Sequence, residues 1–211
     1  KWCDQTLMVH EFKDYAPNGL QIEGNPEVKK IVCAVTASEA AIDAAIAAKA
    51  DALLVHHGYF WKGEAYPITG MRGNRIRKLI QHNISLIAYH LPLDAHTTLG
   101  NNAAIADLIG LKNIVALDAT EKYPIGNIGE LVGFCTGGAQ DYITKAAVAN
   151  CDAYISGEVS ERTFHEAKEL GIHYFACGHH ATERYGVQRL AQAISEKFSI
   201  ETEYFELNNP I

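Results

Sequence analysis

Short apolar runs alternate along this chain with longer stretches in which apolar residues recur at helical spacing. The run ALLV at residues 52–55 is apolar at every position, which is typical of a strand covered on both faces of its sheet. The apolar runs predict strands at residues 31–35, 52–56, 85–89, 131–135, 153–156, 172–177 and 202–207. The longer stretches predict helices at residues 38–49, 74–82, 101–109, 140–149, 161–170 and 183–198. This alternation favours an α/β fold.

The chain also contains a weak internal repeat. VCAVT at residues 32–36 resembles VGFCT at 132–136, and DALL at 51–54 resembles DAYI at 152–155. In both copies a helix pattern and a further strand pattern follow. Few residues are identical, so chance similarity is the alternative interpretation.

If the repeat is real, ligand-type residues lie at equivalent strand ends of two related halves. In α/β sheets, ligands gather outside the carboxyl ends of the strands. We therefore predict two α/β halves, residues 1–120 and 131–211, whose strand ends face a shared dinuclear metal site. The stretch 121–130 is expected to be a linker between them.

The composition narrows the classes of protein that the chain can represent. Its net charge is −7 over 211 residues, so no nucleic-acid partner is expected. The five cysteines form no C-x-x-C pair, which is typical of reduced thiols in a cytoplasmic protein. Because no apolar run approaches the length of a membrane span and no signal peptide is visible, we expect a cytoplasmic location without membrane association.

Side chains that commonly bind metals cluster where predicted strands end. They are His56, His57, His90, Asp94, His179, His180 and Glu183. Imidazoles together with carboxylates are the ligand set of a borderline-to-hard divalent metal. More than four such ligands indicate two ions that share a carboxylate, an arrangement that can activate water for hydrolysis.

Several of these residues have a second interpretation. Glu183 follows His179 by four residues and could bridge two ions, or it could simply be an acidic residue favoured at a helix N-terminus. Asp94 is either a ligand or a turn former. Three further side chains could each bind a metal, orient a ligand or carry protons: His90, His180 and Glu158. The aromatic residues 59–61 after the histidine pair either stack on a heterocyclic base or pack in the core.

Motifs spread over nearly the whole chain resemble those of the type 2 homologues of GTP cyclohydrolase I. This dinuclear-metal-centre family is also called NGG-interacting-factor-three-like, and the chain is most similar to its short bacterial members. The motifs are DYAPNGLQIEG (14–24), VTAS (35–38), VHHGYFWKG (55–63), HLPLDAH (90–96), GNN (100–102), SGEVS (156–160) and GHHATE (178–183). The resemblance implies a toroidal homohexamer with metal sites lining its interior. It also implies metal ligands at His56, His57, Asp94, His179 and Glu183, with His90 as a neighbour of the site.

The chain departs from the family in one place. Members usually carry a longer stretch between the halves, with an additional strand and helix, whereas here residues 125–130 run almost directly into Leu131. Either this member is short or a segment is missing at this point, and we favour the missing segment.

The function expected from these features is metal-dependent hydrolysis of a nucleotide or heterocyclic substrate. Two divalent ions per subunit are expected, with iron, manganese, zinc, cobalt and nickel all compatible with the ligands. His90 and His180 are the expected catalytic residues, as proton carriers. The family name implies GTP as substrate, but the sequence has no obvious triphosphate cradle. The alternative is a non-catalytic metal-binding protein, such as a metal carrier or a regulatory scaffold.

Overall fold

The computed structural model of the protein describes residues 1–118, 121–127 and 130–211. The α-helices are α1 (Trp2–Thr6), α2 (Glu39–Ala47), α3 (Gly70–Gln81), α4 (Leu91–Ala95), α5 (Asn101–Ile109), α6 (Ile143–Val148), α7 (Glu161–Leu170) and α8 (His179–Phe198). The strands are β1 (Gly19–Ile22), β2 (Lys30–Thr36), β3 (Ala52–His57), β4 (Ser85–Ala88), β5 (Lys112–Asp118), β6 (Glu121–Asn127), β7 (Leu131–Cys135), β8 (Ala153–Ser156), β9 (His173–Ala176) and β10 (Glu201–Tyr204). Short 3-10 turns lie at Val9–Glu11 and Gln140–Tyr142. The predicted α/β class is confirmed.

The chain divides into two compact units. The first unit consists of Lys1–Leu93 and Gly186–Asn208, and the second of Asp94–Tyr185 and Asn209–Ile211. The halves expected from the repeat, 1–120 and 131–211, stay a prediction. Within the expected linker at 121–130, residues 121–127 form β6, while residues 128 and 129 lie outside the described residues.

The sheet of the first unit has the strand order β1-β4-β3-β2-β10. Strands β4, β3, β2 and β10 run parallel to one another, and β1 pairs antiparallel with β4. The register places Thr36 opposite His57 and Val55 opposite Ala88. Because parallel strands end at the same sheet edge, this register brings the residues that follow β2, β3 and β4 together.

Apolar side chains on both faces of β2 and β3 explain why these strands read as continuous hydrophobic runs. Helix α2 begins after Ser38, whose Oγ accepts a hydrogen bond from the Ala41 backbone N at 3.2 Å. Ile42 of α2 is fully buried and belongs to the same core as Leu53 of β3. Burying one such side chain stabilises the fold by about 1.5–3 kcal/mol.

The sheet of the second unit has the strand order β5-β6-β7-β8-β9. Strands β7, β8 and β9 are parallel, and β6 pairs antiparallel with both β5 and β7. Its two faces carry separate cores, one with Ile143 and Tyr154 and the other with Ala106 and Phe134. The order β7-α6-β8-α7-β9 repeats the order β2-α2-β3-α3-β4 of the first unit, as the sequence repeat predicts.

Candidate metal centre

Three imidazoles meet at the end of the parallel strands in the first unit. His56 and His57 close strand β3, and His90 follows strand β4. One ring nitrogen of each lies within 4.8 Å of one ring nitrogen of the other two. His56 is fully buried, and the other two are partly buried. The sheet register thus brings the histidines of two separate sequence motifs into one cluster whose nitrogen atoms could bind a metal.

Hydrogen bonds at Nδ1 orient each of these rings. Nδ1 of His56 lies 2.8 Å from the Tyr89 carbonyl oxygen, and Nδ1 of His90 lies 2.7 Å from Oδ1 of Asp14. A carbonyl or carboxylate oxygen only accepts, so Nδ1 carries the proton in both rings and Nε2 is the nitrogen suited to a metal. Nδ1 of His57 lies 3.2 Å from Oγ1 of Thr36, a hydroxyl that can either donate or accept.

The Asp14 carboxylate is buried among hydrogen-bond donors. Its side chain is only 4% exposed. Besides His90, it accepts from the Tyr15 backbone N at 2.6 Å, from Nδ2 of Asn18 at 2.8 Å and from the Leu91 backbone N at 3.0 Å. Burial by itself raises the pKa of Asp14, but the hydrogen bond and charge of His90 and the other donors outweigh it and lower the pKa to about 2.

The aromatic residues after the histidine pair have separate roles. Tyr59 is buried, and its hydroxyl donates to the Ala37 carbonyl oxygen at 2.6 Å. Phe60 packs against the core of the first unit. The Trp61 ring meets His90 edge to face, with 4.9 Å between ring centroids, and its Nε1 donates to the Gly58 carbonyl oxygen at 3.2 Å. Core packing thus accounts for Tyr59 and Phe60, while Trp61 lies beside the imidazoles.

In the second unit, ligand-type side chains converge on the first turn of α8. Nε2 of His179 lies 2.9 Å from Oε2 of Glu183, whose side chain is 4% exposed. Carboxylate oxygens of Glu183 and Asp94 lie within 4.8 Å of each other. Asp94 Oδ1 accepts from Nδ2 of Asn101 at 2.9 Å and from Oγ1 of Thr136 at 3.2 Å. These two bonds fix the orientation of the Asp94 carboxylate.

A carboxylate also holds Nδ1 of the second-unit histidine. Nδ1 of His179 lies 2.6 Å from Oε1 of Glu158, which follows strand β8. The hydrogen bond and negative charge of Glu183, followed by those of Glu158, raise the pKa of His179 to about 9 against the opposing effect of burial. In the metal-free protein His179 is therefore a cation at neutral pH, and a metal would replace its Nε2 proton.

The backbone after strand β7 approaches Glu183 closely. Gly137 has a φ of +70°, and a Cβ at this position would overlap Oε1 of Glu183 and lie 3.2 Å from Nε2 of His179. Glycine is required here both by the backbone conformation and by the space that the two side chains occupy. The sequence carries no local signal for this role, since Gly137 belongs to no complete phosphate-binding motif.

The nearby thiol is not a comparable ligand. Burial raises the pKa of Cys135 well above its usual value, and the negative charges of Asp94 and Glu183 raise it further. The thiol therefore stays protonated at neutral pH, whereas metals bind the thiolate. The side chains of the second unit that could bind a metal are therefore one imidazole and carboxylates.

The predicted site residues are distributed between the units as follows. His56, His57 and His90 cluster in the first unit, and Asp94, His179 and Glu183 lie close together in the second. His180 is buried, and its backbone N donates to the Ile211 carbonyl oxygen at 2.9 Å. In the part of the chain that the structure describes, no group of three metal-type side chains contains His180. Its expected role as a proton carrier stays a prediction.

The donors present fit a divalent cation. Imidazoles whose Nδ1 is already hydrogen-bonded, together with buried carboxylates, match the pattern of biological metal ligands and their supporting partners. Asp14 is the residue that sequence analysis overlooked, because it precedes His90 by 76 residues. Its only signal was membership of the motif DYAPNGLQIEG at 14–24.

Comparison with known proteins agrees with the motifs. The family model described as Duf34/NIF3 (NGG1p interacting factor 3) matches residues 1–132 and 130–210. The chain belongs to the DUF34/NIF3 family. The resemblance inferred from the sequence is confirmed. The two matched stretches of this DUF34/NIF3 protein meet at residues 130–132, where the sequence led us to expect a missing segment.

Relatives of this DUF34/NIF3 protein include the GTP cyclohydrolase 1 type 2 homolog of Vibrio cholerae. It is 47% identical over 242 aligned residues, which cover 99% of this chain and 96% of the relative. The alignment is longer than the 211 residues of this chain, so the relative has residues without a counterpart here.

Among solved structures, one described as protein ybgI of unknown function is 40% identical, with a TM-score of 0.95, and covers 100% of this chain and 97% of that chain. The structure of TTHA1606 from Thermus thermophilus is 28% identical, with a TM-score of 0.88 and the same coverage. Within residues 1–118, 121–127 and 130–211 of this DUF34/NIF3 protein, no helix is long and apolar enough to cross a membrane.

Proposed function

We propose that this protein is a metal-dependent hydrolase with a dinuclear centre of divalent ions. The observation that carries the proposal is the hydrogen bonding of the imidazoles. Nδ1 of His56, His90 and His179 each meets an acceptor oxygen, which directs Nε2 to the side of the ring opposite that oxygen. Histidines that serve only as packing residues do not need this common orientation, whereas metal-binding histidines use it regularly.

The ligands in this proposal are those that the family resemblance implies. They are His56, His57, Asp94, His179 and Glu183. When bound, divalent ions lower the pKa of a coordinated water and polarise the bond to be broken. Hydrogen bonds from Asn101 and Thr136 orient Asp94, and Glu158 orients His179. His90 and His180 are the proposed proton carriers.

The substrate class proposed is a nucleotide or a heterocyclic compound. Trp61 supports it, because the indole is held by its bond to Gly58 and lies beside His90. Aromatic rings of this kind stack on planar heterocycles. The relative from Vibrio cholerae carries the name GTP cyclohydrolase 1 type 2 homolog, which is in keeping with this class.

The first experiment measures metal content per protomer by mass spectrometry, after purification without chelators or a histidine tag. The wild type is expected to hold about two ions, and His179→Ala combined with Glu183→Ala is expected to lose them. The matched control is Glu161→Ala with His165→Ala, which removes an exposed glutamate–histidine pair with the same four-residue spacing in the same unit. No metal in the wild type, even after reconstitution, would overturn the proposal.

The second experiment measures turnover across a panel of nucleotides and free heterocycles. Glu183→Gln keeps the shape of the side chain but removes its charge, so the activity of the metal-loaded protein should fall by at least about a hundredfold. Activity that is unchanged by this substitution would remove the assigned site from the mechanism.

A non-catalytic role is the second candidate function. The observation in its favour is the family description, which names an interacting factor rather than a reaction. Stoichiometric metal without turnover on any member of the panel would favour a metal carrier or regulatory scaffold. The type of metal is proposed only as iron, manganese, zinc, cobalt or nickel.

Assembly and location complete the proposal. We propose a homohexamer with a toroidal shape, as the family resemblance implies, in the cytoplasm. Light scattering coupled to size-exclusion chromatography tests the subunit number, and a monomer at micromolar concentration would contradict it.

A further inference from the structure

We propose that Asp14 is a positioning residue, which fixes the His90 ring in the Nδ1–H form and presents Nε2 to the His56–His57 pair. The residue lies before strand β1 and touches neither of those two histidines through any hydrogen bond described above. The role of this orientation rests on the proposed function. The hydrogen bonds of Asp14 themselves do not depend on a bound metal, so they can be tested in the metal-free protein.

Hydrogen-bond donors occupy both carboxylate oxygens of Asp14. Oδ2 accepts from Nδ2 of Asn18 and from the Leu91 backbone N, which are both obligatory donors. Oδ1 accepts from the Tyr15 backbone N, another obligatory donor, and meets Nδ1 of His90. A carboxylate with only 4% exposure and such partners is acceptor only, so the imidazole must donate from Nδ1.

The segment that contains Asp14 also holds the backbone of His90. Oδ1 of Asn18 accepts from the His90 backbone N at 2.7 Å, while Asp14 accepts from the next backbone N, that of Leu91. Main chain and side chain of His90 are therefore fixed from one stretch of sequence. A carboxylate serving only to cap the backbone after β4 would not need to reach the ring.

The second unit contains a corresponding carboxylate–imidazole pair. His90 follows β4 and His179 follows β9, which are equivalent strands of the repeat. Nδ1 of His179 meets a carboxylate oxygen of Glu158 at 2.6 Å, just as Nδ1 of His90 meets Asp14 at 2.7 Å. The two equivalent rings are held in the same way, although their carboxylate partners come from unrelated positions. This indicates that the ring orientation serves the function of the site.

Asp14→Asn gives a sharp test, because the amide has to place its NH2 group among existing donors. At the Oδ2 position the NH2 would face the donors of both Asn18 and Leu91. At the Oδ1 position it would face only the Tyr15 N, and His90 could accept from it by moving its proton from Nδ1 to Nε2. The substitution should therefore switch His90 to the Nε2–H form.

The measurement is the nitrogen-15 NMR spectrum of histidine side chains in metal-free protein at alkaline pH, with the His90 signals assigned by their loss in His90→Gln. Wild type is expected to show His90 as Nδ1–H, and Asp14→Asn as Nε2–H. Asp4→Asn is the matched control, since Asp4 accepts a hydrogen bond from the Tyr89 hydroxyl, next to His90 in sequence, without contacting the ring.

Wild-type His90 already in the Nε2–H form, or an equal change in Asp4→Asn, would overturn the proposal even if Asp14→Asn folds poorly. Turnover by the metal-loaded protein, in which His90 is a proposed proton carrier, is a second readout. On a substrate found with the nucleotide panel, Asp14→Asn should lower kcat about 10–100-fold, and it should lower kcat no further in the presence of His90→Gln. Additive losses would show that Asp14 acts other than through His90. If no metal binds to the wild type, the proposed function fails, while the NMR result on Asp14 still decides the present inference.

Discussion

Substitution of Gly137 by alanine should change the position of a proposed metal ligand more than it changes the stability of the fold. The backbone of Gly137 is pinned by its carbonyl oxygen, which accepts from the backbone N atoms of Gly157 and Glu158 and from Oγ of Ser156. The new Cβ would overlap Oε1 of Glu183 and lie 3.1 Å from its Cδ, inside the 3.4 Å of ordinary contact. Because the backbone is held, the glutamate side chain has to move, by about an ångström.

Two energetic effects should follow, and they can be measured apart. Alanine at a φ of +70° costs about 1–2 kcal/mol relative to glycine. Above the His179 pKa of about 9, where the His179–Glu183 ion pair no longer contributes to stability, displacing the end of a flexible side chain adds little to the loss of unfolding free energy, but it moves a ligand atom directly. We therefore expect a metal affinity at least about tenfold weaker, together with only modest destabilisation.

Gly171→Ala is the matched control for this prediction. Gly171 ends helix α7 in the same unit with a φ of +67°, and a Cβ there would meet nothing within 4 Å. In urea titrations above the His179 pKa of about 9, Gly171→Ala should lose about as much stability as Gly137→Ala. It should also bind metal like the wild type in competition with a chromogenic chelator. Equal metal affinity in the two variants would refute the reasoning about Glu183.

The displacement of Glu183 in Gly137→Ala should also change the pKa of His179 in the metal-free protein. Moving Glu183 breaks its 2.9 Å contact with His179 and should lower the pKa of His179 from about 9 toward its ordinary value of 6.5. An NMR titration of metal-free Gly137→Ala measures this shift, and Gly171→Ala should leave the pKa unchanged.

Further predictions concern pH and packing. In wild-type protein freed of metal by a chelator, the His179 cation contributes at most roughly 3 kcal/mol to the free energy of unfolding. This contribution is fully present below pH 6.5 and is lost as the pH rises through about 9. Urea titrations across this pH range should therefore show a decrease in stability that His179→Gln lacks. Ile42→Ala in the buried core should destabilise the protein by about 2–5 kcal/mol, whereas Ile80→Ala, at an exposed position, should change urea stability by less than about 0.5 kcal/mol. Ser38→Ala removes the cap of α2 and should cost about 1 kcal/mol, and an unchanged thermal midpoint would contradict this role.

The strands that could be predicted from the sequence are those that are buried and are therefore made of apolar residues. Strand β3 is apolar at residues 52–55 because both faces are covered, so local pattern and tertiary environment agree. Strand β6 gave no such signal, since Pro124 and Gly126 within it are residues that normally argue against a strand inside a sheet. Pairing with β5 and β7 overrides that preference, and this pairing is not visible along the chain.

Some features of the candidate site could likewise be predicted from local sequence, whereas others are visible only in the folded structure. Histidines and carboxylates at strand ends could be predicted, because their types and their positions after apolar runs are local features. Helix α8 begins at His179, four residues before its predicted start, since a histidine pair carries no recognisable capping signal. The contact of His90 with Asp14 spans 76 residues and depends on the strand order β1-β4, so only the folded structure reveals it.

The two carboxylate–imidazole pairs also show how far the repeat determines the site. Repetition of the β-α-β-α-β order places His90 and His179 at equivalent points, after β4 and β9. Their partners are not equivalent, since Glu158 follows β8 within the repeat while Asp14 lies before β1, outside it. A duplicated scaffold alone would have produced the same partner twice. The orientation of the ring is therefore what the two units share, and each reaches it through a different carboxylate.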